Sequence, residues 1–334
     1  MFRRILLLAA MVVTATAVAQ DANITKAVPA LERQLAADPL VIAAAEISRP
    51  KAKGDITLKA DIAFGGAPPL RVKLRKAEPG ADSFNNVPRY DLAAYELQKL
   101  FLDPAEYVVP PTVLRMLPRS EFLKYSPDVE RTFREADQVL GVIQYWLNDI
   151  LVLADVYNES KFAADPVYAR HIGQLNILTF LIEHQDSNAG NFLVGKASKG
   201  ARVFSIDNGV AFASEGSDRG QLWRQLRVNQ LPADAVERLR AITPQLLQER
   251  LGVVAQWQLQ GEAFVPVAKG ANISSRRGVR RKDGQLQMGL TAGEISQLQR
   301  RLKDLLKQVD RGKVTVVSVP VPVPVPVPKP VPKR

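Results

Sequence analysis

Two short polar clusters, each followed at once by an apolar run, constrain this chain more than any other feature. The first is HQDSNAGNFLV, with Asp186 and Asn191; the second is VFSIDNGVAF, with Asp207. Phe192, Leu193 and Val194 follow the first cluster, and Val210, Ala211 and Phe212 follow the second. Carboxylates pinned between strand-like segments are costly to bury unless something cationic meets them. A metal ion is the usual partner.

The surrounding pattern frames those clusters. Residues 20–54 read as a helical preamble, ALERQLAADPLVIAAAEIS, that ends in a polar link. In DITLKADIAFGGAPPLRVKLRKA two alternating runs flank Gly65-Gly66, the signature of a β-hairpin. RYDLAAYELQKLFL spaces Leu92, Tyr95 and Leu100 as a helix does. EYVVPPTVLRML reads as a strand that Pro110-Pro111 confines to an edge or bend. From about Pro127 the pattern is mainly helical, with VLGVIQYWLNDILVLADVY as buried core. NFLV and RVFSI interrupt it as a short ribbon around GKASKG.

PADAVERLRAI and PQLLQERLGVVAQWQ predict helices beginning near proline. Thr291 and Glu294 stand at capping-box spacing, so TAGEISQLQRRLKDLLKQV predicts another. The order, a strand hairpin, helix and strands and then a helix-rich half with a small ribbon inserted, is α+β and is that of a two-lobed fold, although order alone does not establish the lobes. A small β-rich lobe covers 55–150 and a larger helical lobe 151–268, with 269–313 as a basic helical segment. The last stretch, 314–334, alternates Val and Pro and favours an extended polyproline arm.

Residues 1–19 read as a secretory signal. Arg3 and Arg4 precede the apolar run Ile5 to Val13, and Ala17-Val18-Ala19 is a small-residue cleavage site. The apolar run is too short to span a membrane comfortably. The mature protein is expected to begin near Gln20 and to lie outside the cytoplasm, periplasmic or secreted. With no cysteine, disulfides and thiolate metal sites are excluded, and two histidines, His171 and His184, argue against a multi-histidine zinc site. From Lys269 to Arg334 there are 15 Lys or Arg against 4 Asp or Glu, which accounts for the whole net charge of +11. That basic end suits an anionic membrane or glycan surface, with nucleic acid the less expected partner, and a merely solvated basic face is the equal alternative.

Phosphoryl transfer asks for a base near the acceptor hydroxyl, oxygen ligands for magnesium and a cation on the nucleotide phosphates. Asp186 is placed to orient or deprotonate the acceptor. Asn191, five residues on, and Asp207, sixteen further across a turn, supply the metal ligands.

DSNAGNFLV followed by FSIDNGVAF resembles the catalytic and metal-binding segments of the phosphoinositide 3- and 4-kinase superfamily, most of all the type II phosphatidylinositol 4-kinases. It is also similar to the Golgi secretory-pathway kinases. In these families an apolar pair followed by Asp-Asn-Gly stands where ordinary kinases have Asp-Phe-Gly. RVKLRKAEPG resembles their strand with the phosphate-binding lysine, and YDLAAYELQKL the helix carrying its acidic partner. The resemblance, over roughly 55–260, implies a two-lobed protein-kinase-like fold that uses ATP and Mg2+. It makes Lys73 the phosphate-binding cation, with Lys76 as alternative, and Asp91 its acidic partner, with Glu96 as alternative. The families usually carry Glu where Asp91 stands, and no glycine-rich G-x-G-x-x-G loop is present. The adenine hinge is expected near Tyr145-Trp146-Leu147.

The expected function is an exported atypical kinase acting on a hydroxyl of a protein, lipid headgroup or glycan. The competing readings are a catalytically silent pseudokinase that serves as a binding module, and transfer of AMP on the same fold.

Overall fold

The computed structural model describes residues 22–36, 40–48, 56–82, 87–212 and 221–319. The expected signal segment 1–19, the polar link 49–54 and the tail from 320 lie outside these residues. Within them the chain is mixed α+β.

Helix α1 (Val28–Ala36) buries Val28, Leu31 and Leu35. It is followed by β1 (Val41–Ile47), a strand in place of the rest of the helical preamble. Alanine favours helix locally, but antiparallel pairing of β1 with β2 (Thr57–Phe64) overrides that preference. β2 and β3 (Ala67–Lys76) form the expected hairpin. Its turn residues, Gly65 and Gly66, have φ of +36° and +84°, which glycine adopts without strain in a two-residue turn.

Helix α2 (Pro88–Gln98) starts with proline at its first position and is buried on nearly every side. Then come β4 (Thr112–Pro118), the short α3 (Ser120–Leu123) and β5 (Gln138–Tyr145). The five strands make one sheet in the order β1-β2-β3-β5-β4. β4 is an edge strand, as Pro110-Pro111 just ahead of it requires. β5 replaces expected helix: it runs between β3 and β4 and is buried on both faces, so its sequence lacks alternation.

The second half begins with β6 (Ile150–Val152), α4 (Glu159–Ala164) and α5 (Pro166–Leu181). The Asp165 carboxylate caps α5, accepting from the amides of Val167 at 3.1 Å and Tyr168 at 3.0 Å. A 3-10 turn, Ala189–Asn191, leads into β7 (Phe192–Gly195) and β8 (Val203–Ser205). These two form the expected ribbon, with β6 added at its edge.

After β9 (Gln230–Pro232), α6 (Ala233–Arg240) and α7 (Pro244–Leu251), the helix expected across PQLLQERLGVVAQWQ stops at Leu251. Its second part becomes β10 (Ala255–Gln260), which joins β11 (Ala263–Pro266), β12 (Val279–Lys282) and β13 (Gln285–Met288). That second sheet has the order β11-β10-β13-β12. Segment 269–313 is thus not purely helical: Asp283-Gly284, at φ +50° and +74°, turns a hairpin before helix α8 (Ala292–Asp310). The capping box at Thr291 and Glu294 is present. β14 (Thr315–Val317) pairs parallel with β9, so the first residues of the 314–334 stretch belong to the fold.

Buried apolar residues form one cluster from Ile24 to Val314. Leu286, Met288, Leu298, Leu302 and Leu305 are part of it. Segment 269–313 therefore contributes side chains to the core. Among the described residues no helix is long and apolar enough to cross a membrane.

Candidate functional site

Strand alternation places Lys73 and Arg75 on one face of β3 and Lys76 on the other. Gln144 and Val142 of β5 stand opposite Lys73 and Arg75 and share that face. Lys76 is buried on the reverse side, its Nζ 3.8 Å from Glu78, so it is not in position to serve as the alternative to Lys73.

Asp91 lies in the first turn of α2, only 3% exposed, and its carboxylate accepts from Arg75 Nη2. Lys73 makes its ion pair with Asp207 and not with the expected Asp91. Arg75 Nη1 is also 3.4 Å from the Asp207 carboxylate, so one guanidinium stands between two acids. Burial pushes the Asp91 carboxyl above the ordinary carboxylate range; the Arg75 charge opposes that shift and Asp207 adds to it. Glu96, the alternative acid, accepts instead from Lys99 at 2.7 Å.

The three residues Asp207-Asn208-Gly209 divide the work of the turn after β8. Asp207 has φ +56°, a left-handed conformation that Asp tolerates better than most residues. Asn208 is fully buried and linked to the Ser205 hydroxyl at 2.7 Å, which staples the turn. At Gly209 a Cβ would lie 3.0 Å from Arg75 Nη2 and 3.1 Å from Asp91 Oδ2, so glycine makes room for that ion pair.

Asp186 lies in the loop after α5, half-buried, and its carboxylate accepts from Asn188 Nδ2. The buried His184 accepts the Asp186 amide on Nδ1 at 3.3 Å, and its ring lies 5.0 Å from that of Phe192. Burial pulls the His184 imidazole down to about 4, against the attraction of Asp207, which keeps it neutral and able to accept. Asn191 Nδ2 donates to the Asp186 carbonyl at 2.8 Å, while the Asn191 carbonyl accepts the Ile206 amide at 2.9 Å. Those two bonds tie the Asp186 loop to the residue before Asp207.

Asp207 and Asn191 both carry oxygens, the ligand type a hard divalent ion prefers. Asp207 offers a charged carboxylate, and the bond made by Asn191 Nδ2 turns its Oδ1 away from the Asp186 carbonyl as a neutral oxygen. Among the described residues no group of three or more His, Asp or Glu side chains gathers as a metal site by itself. Lys73, Arg75, Asp91, Val142, Gln144 and Asp207 enclose about 10 Å³, room for no more than one water. A larger cavity of about 230 Å³ lies apart, between α4, α5, β9 and β14. Among the described residues that line it, the one charged side chain, Arg170, is paired with Glu106 and Asp234.

At the expected hinge, the Tyr145 hydroxyl is 2.8 Å from the donating Asn148 Nδ2 and 3.1 Å from the Thr25 hydroxyl. Leu147 is buried, whereas Trp146 is 37% exposed with Lys59 Nζ 5.4 Å from its ring centre. Lys59 pairs across the sheet with Lys73, so this aromatic ring lies beside the same sheet face.

Arg75 is the residue that sequence reasoning missed. Its signal was present: it stands two residues from Lys73, hence on the same face of a strand. No protein-family model and no curated protein matches this chain.

Proposed function

We propose that the protein is an exported, magnesium-dependent atypical kinase with a two-lobed protein-kinase-like fold, akin to the phosphoinositide kinases and secretory-pathway kinases it resembles. One observation carries the reading: Lys73, from the middle of the first sheet, and Asp207, from the turn after the ribbon, meet as an ion pair. They are 134 residues apart, and phosphoryl transfer asks for both a phosphate-binding cation and a metal-binding carboxylate. The architecture supports it further, with a strand hairpin, a helix carrying Asp91 against the lysine strand, and a ribbon bearing the two acidic turns.

Lys73 would neutralise the nucleotide phosphates, and Arg75 would hold Asp91 and with it α2 against β3. Asp207 and Asn191 would hold magnesium, with Asp207 carrying the charge. When bound, the ion neutralises charge on the β- and γ-phosphates of ATP. Asp186 would take the proton of the acceptor hydroxyl as its oxygen bonds to the γ-phosphorus. The bond to the bridging oxygen breaks and ADP leaves. A half-buried carboxylate at the loop surface suits an acceptor brought by another molecule. The acceptor is a protein, lipid headgroup or glycan hydroxyl, and the basic C-terminal segment favours one presented at an anionic surface.

A pseudokinase is the second reading, and the narrow space around Lys73 and Asp207 favours it. Incubation of the secreted protein with γ-labelled and α-labelled ATP separates the readings. Transfer of the γ label alone supports the kinase, transfer of the α label supports AMP transfer, and neither label with no nucleotide binding supports the silent module.

A further inference from the structure

Glu294, in the first turn of α8, closes the capping box by accepting the Thr291 amide at 2.7 Å. The same carboxylate accepts both arms of the Arg89 guanidinium, at 2.7 and 2.9 Å, and the Tyr90 hydroxyl. Arg89 and Tyr90 immediately precede Asp91 on α2. Seven residues further along α8, Arg301 donates from Nε to the Leu181 carbonyl and from Nη1 to Glu183, each at 2.7 Å. Leu181 ends α5, and Glu183 lies three residues before Asp186.

A third contact closes the circuit. The Tyr90 ring centre is 5.4 Å from that of Phe212, and the Phe212 amide donates to the Ile182 carbonyl at 2.6 Å. Phe212 lies five residues after Asp207. One face of α8 thus grips the helix of Asp91 at one point and the approach to Asp186 at another, about 10 Å along the helix axis. A bidentate, poorly hydrated Arg–carboxylate pair fixes orientation as well as distance. Arg89 is 5% exposed, which removes the screening that weakens surface pairs.

We propose that Glu294 and Arg301 are positioning residues: helix α8 is a brace that sets the spacing between the Arg75–Asp91 pair and the Asp186 loop. The catalytic consequence rests on the kinase reading; the brace rests on the contacts alone. The basic C-terminal segment is then part of the working unit of the site.

Hydrogen–deuterium exchange and transfer kinetics on full-length variants test this together. Glu294→Ala is expected to raise exchange in residues 88–98 and 207–212, and Arg301→Ala in 181–191. Exchange in β1 and β2, on the far side of the sheet, should stay as in the wild type. Each variant should lower kcat by about 10- to 100-fold, as misplacement of reacting groups does, with a smaller effect on KM for ATP. Arg301→Lys, which keeps a donor to Leu181 and Glu183, should recover most of the loss. Arg240→Ala, which removes a surface pair to Asp310 at the other end of α8, should change neither readout. No rise in those segments, or an equal rise across the whole chain, overturns the brace. If the wild type transfers no label, the kinase reading fails while the exchange result still decides the brace.

Discussion

Asp91 is held by Arg75, and Lys73, two residues along the same strand, holds Asp207. A single strand face therefore anchors both acids, one from a helix and one from a turn. Asp91 is nearly sealed from solvent, whereas the Lys73 and Asp207 side chains keep 21% and 30% of their surface exposed. The first pair is sealed within the packing, and the second stays open to solvent.

The two cations should separate accordingly. Arg75→Ala leaves a buried carboxylate without its partner and is expected to cost about 3–5 kcal/mol of stability. Lys73→Ala removes a partly exposed pair and should cost about 1 kcal/mol or less, yet abolish nucleotide binding. Urea denaturation and calorimetric titration with ATP measure the two effects. A Lys73 variant less stable than the Arg75 variant would contradict the division.

The acids should separate as well. Asp207→Ala is expected to abolish magnesium-dependent ATP binding. Asn191→Ala should weaken it less, because a neutral oxygen attracts a hard dication less than a carboxylate does. Asp186→Ala should preserve much of the binding and lower turnover by about 10²–10⁴-fold. Calorimetry with and without magnesium, beside label transfer, checks each variant. Wild-type binding in both aspartate variants would remove the metal assignment.

Gly209→Ala is expected to destabilise the protein by about 1–3 kcal/mol, because a methyl group there crowds the Arg75 guanidinium and the Asp91 carboxylate. The same change in an Asp91→Ala, Arg75→Ala background should cost less, since the side chains it crowds are gone. A double-mutant cycle on thermal unfolding measures the difference. Equal costs in both backgrounds would show that the crowding lies elsewhere.

Stability should fall as the pH drops from about 6.5 to about 4. Burial holds the His171 and His184 imidazoles down to about 4, from an ordinary value of 6.5. Between those values the unfolded chain binds protons that the folded one refuses, so stability rises with pH across that window. The loss on the acid side is up to about 3 kcal/mol for each histidine. Denaturation midpoints across this range test it, and His171→Gln should flatten the slope. A midpoint that rises on acidification would oppose the assignment.

Features resting on neighbours in the chain were legible in advance. The Gly65-Gly66 hairpin, the α2 helix, the β7–β8 ribbon and the Thr291–Glu294 cap all follow from turn chemistry or periodicity. β5 was not legible, because burial on both faces removes the alternation that marks a strand. The hairpin at Asp283-Gly284 carried a readable turn signal, but the basic charge around it favoured a reading as an exposed helical segment.

By itself, the sequence supplied the candidates for the proposed chemistry. Asp186, Asn191 and Asp207 stand out because residue type, spacing and the adjoining apolar runs are local properties, whereas Lys73 and Asp91 enter only through the family resemblance. Only the tertiary structure decided who pairs with whom. Lys73 met Asp207, Asp91 met Arg75, and α8 reached back to Arg89 across 205 residues. Those choices depend on reach and desolvation where β3, α2, α8 and the two loops pack together. A local pattern can show that a buried acid needs a cation, but the packing selects the cation.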